Sequence, residues 1–321
     1  MFWKSLAQQH TPFFVLAPME EVTDTVFRRL IAGIGKPDVF FTEFMSVEGF
    51  MSRGREKVSY RLEHTDTEKP LIAQIWGLSP EKFYQTAKEI REMGFVGIDL
   101  NMGCPKEDVV KRGACAGLIQ LPKLAGEIIQ ATQEGAGDLP VSVKTRIGHK
   151  SETINEWISH VLSYKPAALT IHFRTVEEMS KVPAHWDLAP KVVALRDEIS
   201  PETVIIGNGD VLSRSQGEEL AKTYSLDGIM IGRGIFHNPW VFAKEQVSHS
   251  MQEKLNLLLL HARTYTEYWG KRKNYHVLKR FYKIYATDFD GAAELREQLM
   301  PTNSLEEAEA IIAKFLVKNQ S

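Results

Sequence analysis

Thr203-Val204-Ile205-Ile206-Gly207-Asn208-Gly209-Asp210 and, further on, Gly228-Ile229-Met230-Ile231-Gly232-Arg233-Gly234 are two apolar, β-rich runs that each close on a glycine turn. Between them, residues 213–223 read as a helix. A strand, a helix and a second strand in that order make one unit of a parallel sheet. Similar β-rich runs lie at residues 13–19, 39–44, 71–76, 97–101, 141–146 and 168–174, which brings the count to eight. Helical spacing between them is clearest over 80–93, where Phe83, Ala87, Ile90 and Met93 recur. Runs such as Phe13-Phe14-Val15-Leu16 are continuously apolar, as strands are when helices cover one face and a packed interior fills the other. Eight strands alternating with helices predict an α/β fold, a (β/α)8 TIM barrel, over residues 1–244. After Pro239 the pattern turns to helices alone, with Leu255, Leu257, Leu258, Leu259 and Leu260 close together, then residues 305–317. This predicts a small all-helical C-terminal domain over 245–321.

At 321 residues and 43% hydrophobic content the chain has ample material for one large core. Residues 1–10 lack a basic start followed by an apolar run, and no apolar stretch approaches the roughly 18 residues that span a bilayer. A cytoplasmic protein without membrane contact is expected. The two cysteines, Cys104 and Cys115, come without the neighbouring Cys or His that a structural zinc needs, so neither a metal nor a disulfide framework is expected. A formal net charge of −2 does not mark a nucleic-acid binder, so any RNA contact must rest on a local patch. One candidate is Lys271, Arg272, Lys273, Lys279, Arg280 and Lys283, with Tyr275, His276, Phe281 and Tyr282 interleaved and no acid among them. A solvated helix face is the plain alternative.

Barrels of this kind carry their chemistry at the carboxyl ends of the strands. Here those ends read Ala17-Pro18-Met19, Gln74, Asn101-Met102-Gly103-Cys104-Pro105, Lys144 with Arg146, His172 with Arg174, Asn208-Gly209-Asp210 and Gly232-Arg233-Gly234. Glycine turns after the last two strands, with Arg233 beside one, suit a phosphate group. Alternation along Val141-Ser142-Val143-Lys144 turns Lys144 into the barrel, where it needs a ligand anion or an acid such as Asp99 or Glu43. Cys104 sits on a loop with a thiol that can give a proton near neutral pH; from spacing alone an inert buried thiol is equally open. Cys115, among small residues, reads as packing. His172 is either a satisfied core histidine or a cofactor contact.

Taken together and in this order, the motifs closely resemble the FMN-dependent tRNA-dihydrouridine synthases through nearly the whole chain. They are Ala17-Pro18-Met19 with Val22-Thr23-Asp24, Thr42-Glu43-Phe44, Gln74, Asn101-Met102-Gly103-Cys104-Pro105, Val143-Lys144-Thr145-Arg146, His172-Phe173-Arg174-Thr175, Gly207-Asn208-Gly209-Asp210 and Ile231-Gly232-Arg233-Gly234. The resemblance implies an oxidoreductase that reduces uridines in tRNA, with FMN bound in the barrel, NADPH as a transient reductant and the helical domain helping to hold tRNA. It implies that Pro18, Met19, Gln74, Lys144 and His172 surround the flavin ring and that Asn208, Gly209, Asp210, Gly232 and Arg233 form its phosphate end. Cys104 would be the general acid; Asn101, Arg146 and Arg174 would face the uracil, and Lys279, Arg280 and Lys283 the tRNA. No obligate protein partner is implied. Absence of a Gly-x-Gly-x-x-Gly turn after the first strand fits a nicotinamide that visits without a site of its own. An FMN barrel reducing a small molecule, a non-catalytic RNA-binding barrel, and a phosphate-binding lyase or isomerase are the rival readings. Two positions depart from the family pattern: Glu21 and Phe173 each stand where glycine is usual, on loops near the site.

Overall fold

The computed structural model describes residues 2–9 and 12–319. Met1 and His10 of the N-terminal stretch, and the last two residues of the predicted C-terminal domain, lie outside the described residues. Nine strands form one sheet: β1 (Phe13–Leu16), β2 (Phe40–Phe41), β3 (Met45–Ser46), β4 (Leu71–Trp76), β5 (Gly97–Met102), β6 (Val141–Arg146), β7 (Ala168–His172), β8 (Val204–Asn208) and β9 (Gly228–Ile231). They run parallel in the order β1-β9-β8-β7-β6-β5-β4-β2, with the short β3 pairing with β4 beyond β2. The ring closes where Val15 bridges Val39 and the Leu16 N–H donates to the Val39 carbonyl at 3.2 Å. The predicted eight-stranded barrel is therefore present. Its second run differs: of the predicted residues 39–44 only Phe40–Phe41 form a ladder strand, Val39 makes a single bridge, and the short β3 follows at Met45–Ser46.

Alternation with period two explains what fills the barrel. Phe13, Val15 and Ala17 face inward beside Phe41, Ile72, Ala168, Val204, Ile206 and Met230, and Trp3 of the N-terminal helix Phe2–Gln9 seals this layer from below. Phe14 and Leu16 face the other way and join the larger core under the helices. Higher up, the same inward rows pass through Gln74, Asp99, Asn101, Lys144, His172 and Asn208, so the interior becomes polar toward the carboxyl ends of the strands. The predicted helices appear at Pro80–Arg91 and Arg214–Tyr224, with Ser79 and Ser213 as N-caps accepting backbone N–H bonds.

Beyond the barrel come Met251–Trp269, capped by Ser250 in a capping box, and Ala292–Leu299 and Leu305–Lys318. The basic stretch is not one continuous α-helix: it winds through short turns at Gly270–Arg272, Tyr275–Phe281 and Tyr282–Tyr285. This region packs on the helix Thr25–Ile34, where Phe281 meets the Phe27 ring at 5.1 Å. Asp24 caps that helix through Phe27 N–H, and its other oxygen accepts from Trp269 Nε1 at 2.8 Å and Lys273 Nζ at 3.0 Å. Among the described residues no helix is long and apolar enough to cross a membrane.

The loop that leads into this seam is held by Arg28, paired with Glu68 at 2.6 Å with both side chains fully buried. Arg28 also donates to the carbonyls of Thr23 and Glu63, and Glu68 accepts from Thr25 and Thr65. Removing one member of such a pair strands a buried charge, at a cost of about 3–5 kcal/mol. Arg28→Ala is accordingly expected to lower the unfolding free energy measured by chemical denaturation by that amount, and the double change Arg28→Met with Glu68→Leu to recover much of it. A single-variant loss under about 1 kcal/mol would contradict this assignment.

Candidate functional site

At the carboxyl ends of the strands a cavity of about 580 Å³ opens. Of the residues singled out in the sequence, Pro18, Met19, Asn101, Cys104, Lys144, Arg146, His172, Asn208, Gly209, Asp210, Gly232 and Arg233 line it. Gln74 and Arg174 do not. Lys279, Arg280 and Lys283 stand outside it on the helical region.

Gln74 is fully buried one layer below the floor, where its amide donates to Asp99 at 2.7 Å and accepts from Asn101 at 3.0 Å. Asn101 passes the constraint upward, since its Oδ1 accepts the backbone N–H groups of Gly103 and Cys104 at 3.2 and 3.0 Å. Asp99 anchors the chain from beneath, bonded also by Ser142 Oγ at 2.6 Å; burial pushes its carboxyl up to about 6 against the pull of those two donors. Gln74 therefore supports the Cys104 turn from beneath the cavity floor, and its contact with a flavin remains a proposal.

Lys144 is a partly buried cation lining the cavity. Its ammonium donates to Asn208 Oδ1 at 3.2 Å and forms no salt bridge among the described residues, while Asn208 is itself fixed by donation to the Met230 carbonyl at 2.8 Å. Burial first, then Arg146, lowers its pKa to about 8. The acids considered as partners are engaged elsewhere: Asp99 as above, and Glu43 near Lys273 at 3.7 Å. Burial pushes Glu43 up to about 7.

His172 carries no charge here, because burial and the surrounding Arg146, Lys144, Arg174 and Arg233 drive its pKa well below the usual value. Arg174 lies 3.1 Å from its Nε2. A guanidinium can only donate, so Nε2 accepts and the proton sits on Nδ1. Arg174 is buried, with further bonds to the Val182 carbonyl and to the Asp210 carboxylate, so it orients His172 and Asp210 beside the cavity. Asp210 also pairs with the half-exposed Arg233 at 3.1 Å. Gly209 takes φ 141°, and a Cβ there would come within 2.6 Å of Ala184, so no other residue fits this turn.

Cys104 lines the cavity beside Arg146, whose Nε donates to the Gly103 carbonyl at 2.8 Å. Its thiol is lowered to about 6: the hydrogen bond from Cys115 favours the thiolate, burial opposes it, and the Lys106 N–H and Arg146 reinforce the first effect. Cys115, by contrast, is pushed well above the usual thiol value. The reading of Cys115 as packing alone does not include this contact, which the ten intervening residues conceal in the sequence. Met179, Ser180, Leu212 and His237 also line the cavity from loops, and no periodic pattern points to them.

Both departures from the family pattern have a place in the structure. Glu21 sits at φ 57°, in the left-handed region that glycine favours, and its carboxylate binds Arg280 at 2.7 Å. One of the three cations assigned to tRNA is thus already paired. Phe173 is fully buried, with its ring 5.0 Å from Trp186, and does not narrow the cavity. No group of three or more His, Cys, Asp or Glu side chains among the described residues could hold a metal ion.

A model of the family described as dihydrouridine synthase matches residues 15–320. The probable tRNA-dihydrouridine synthase of Staphylococcus aureus strain COL is 49% identical over 317 residues, 98% of this chain and 95% of that protein. The probable tRNA-dihydrouridine synthase 2 of Bacillus subtilis strain 168 is 48% identical over 98% of this chain and 96% of its own length. Among solved structures, morphinone reductase superposes with a TM-score of 0.50 at 9% identity over 71% of this chain and 84% of its own, a likeness of fold.

Thiolate is the form that alkylates, so the Cys104 assignment predicts a pH profile. Reaction of Cys104 with iodoacetamide, followed by peptide mass spectrometry, should rise through about pH 6 and level off by neutrality, with Cys115 far slower. Arg146→Met should move the midpoint upward. A Cys104 rate still climbing through about pH 8 to 9, the ordinary thiol range, would contradict the assignment.

Proposed function

Because the chain belongs to the dihydrouridine synthase family, we propose that it reduces uridines of tRNA to dihydrouridine in this cavity, with FMN held by the barrel and NADPH as its transient reductant. Residues 1–244 are the catalytic barrel in this reading and residues 245–321 the tRNA-binding domain, working in the cytoplasm. The observation that carries it is the partly buried Lys144 ammonium, with no salt bridge among the described residues, facing a cavity that also presents the Cys104 thiol. The volume of about 580 Å³ fits a ring-sized cofactor and a base.

FMN suits these residues. Lys144 would lie against the ring and stabilise negative charge on it; Pro18 and Met19 supply an apolar wall, and neutral His172 a donor at Nδ1. Asn208, Gly209, Asp210, Gly232 and Arg233 would hold the phosphate end, where an added Cβ at Gly232 would meet nothing closer than Ala17 at 3.5 Å. When bound, the flavin supplies hydride from N5 to C6 of the uracil, chemistry that side chains lack.

The chain's own part is to orient the base and to hold a proton at Cys104 Sγ for C5. Asn101 fixes the backbone of that turn, and Arg146 faces the nucleotide. Free Cys104 ionises near 6, so a neutral-pH acid needs its proton restored once the site fills; excluding water and placing an anion beside it both raise a thiol's pKa. A uracil reaching this depth must leave its stack, at a cost of a few kcal/mol that is smallest in a flexible loop. Lys279 and Lys283, with Arg280 shared with Glu21, supply phosphate contacts beside the mouth, where Lys283 lies 5.9 Å from the Phe236 ring.

Unmodified bulk tRNA incubated with the purified protein, FMN and NADPH should yield uridine heavier by two hydrogens on nucleoside mass spectrometry. Flavin-dependent NADPH oxidation without that gain would favour a small-molecule reductase. Cys104→Ala should retain flavin and tRNA while turnover falls about 10²- to 10⁴-fold, the usual worth of a positioned acid; unchanged single-turnover reduction would remove Cys104 from the role. Replacing Lys279, Arg280 and Lys283 by Gln should weaken tRNA binding and lower the salt-dependence slope by roughly one for each phosphate that is no longer neutralised. A slope equal to the parent's would place the tRNA elsewhere.

A further inference from the structure

Cys104 and Cys115 are free thiols that belong to one small cluster in space. Cys115 is buried among Val109 and Ala114, and Cys104 packs against that group from the cavity side. The Ala116 N–H donates to the Cys104 carbonyl at 3.3 Å, tying the two stretches of chain together. The two side chains pack in the same cluster, Cys104 from its cavity side. Residue 115 holds φ 50°, a left-handed conformation that aims its side chain from a turn most side chains avoid. Only Cys104 of the two lines the cavity, so a small oxidant meets it first.

We propose that Cys104 and Cys115 are a reversible redox pair, in which peroxide entering the cavity oxidises Cys104 and Cys115 then closes on it as a disulfide. In the first step the Cys104 thiolate attacks peroxide: an S–O bond forms, the O–O bond breaks, and the departing hydroxide takes up a proton to become water. In the second step the Cys115 sulfur attacks the sulfenic acid: the S–S bond forms, the S–O bond breaks and a second water leaves. Two thiols lose two electrons and two protons, and one peroxide becomes two waters. A dithiol reverses the change by exchange. The sulfurs must draw in to about 2 Å. The short turns Glu107–Val110 and Cys115–Gln120 between and after them are the segments that move. Disulfide closure also spares Cys104 the irreversible higher oxidation states. That closure silences catalysis rests on Cys104 being the acid; the chemistry of the pair does not.

The test treats purified, flavin-loaded protein with a several-fold molar excess of hydrogen peroxide, caps free thiols with N-ethylmaleimide under denaturing conditions and reads the intact mass. The parent chain should lose two hydrogens and both maleimides, and regain them after dithiothreitol. Cys115→Ser, with Cys115→Ala as a second variant in case one fails to fold, should instead add two or three oxygens at Cys104 that dithiothreitol does not remove. Oxygen addition at Cys104 in the parent with Cys115 still capped, at the rate seen in the variants, would overturn the proposal. Because mass is read rather than turnover, failure of Cys104 as the acid would leave this result unchanged.

Discussion

Much of the upper end of the barrel is arranged around one partly buried charge, the Lys144 ammonium. Removing an ammonium from water costs several kcal/mol even after relaxation, and an adjacent carboxylate is the usual remedy. Here the nearby acid Asp99 gives its oxygens to Gln74 and Ser142, and Lys144 is left with a single neutral acceptor, Asn208. Its pKa near 8, below the ordinary value, means that the unfolded chain holds this proton more tightly than the folded one. The penalty is therefore full below about pH 8 and fades as pH rises toward the unfolded value. A site that accepts this cost in the empty protein is prepared for an anionic ligand.

The remaining polar groups follow from the same geometry. Inward positions on adjacent strands are in register, Asn101 beside Lys144 and His172 beside Asn208, so a ring of polar side chains results from period two alone. Below it the interior is apolar and plugged by Trp3. The helical region enters through the loop after β1, where Asp24 is at once a helix cap and the acceptor for Trp269 and Lys273. The loop that shapes the cavity wall at Pro18 and Met19 thus also carries the surface proposed for RNA.

Much of this is legible in the sequence because strand periodicity and the strand-end motifs are local properties. Lys144, His172 and Asn208 can be placed inside by counting residues. The partners of Gln74 and Arg174 are not legible this way, because a long side chain's direction depends on what tertiary structure offers: Asp99 and Asn101 for the one, Val182 and Asp210 for the other. Phe173 turns outward to Trp186 for the same reason. Glu21 tolerates a glycine-like conformation beside a cation supplied from 259 residues away, and no local pattern announces that pairing. The contact between Cys104 and Cys115 depends on a loop path that spacing does not encode.

The central claim, that Lys144 is held unpaired for an anionic cofactor, is tested most directly with Lys144→Met. Thermal unfolding of the flavin-free proteins and titration of each with FMN would be compared at neutral pH. The account predicts that the variant's flavin-free midpoint rises, as a partly desolvated charge becomes a thioether, while its affinity for FMN falls by tenfold or more. A lower midpoint together with unchanged FMN affinity would contradict it, and would make Lys144 a structural residue of the barrel.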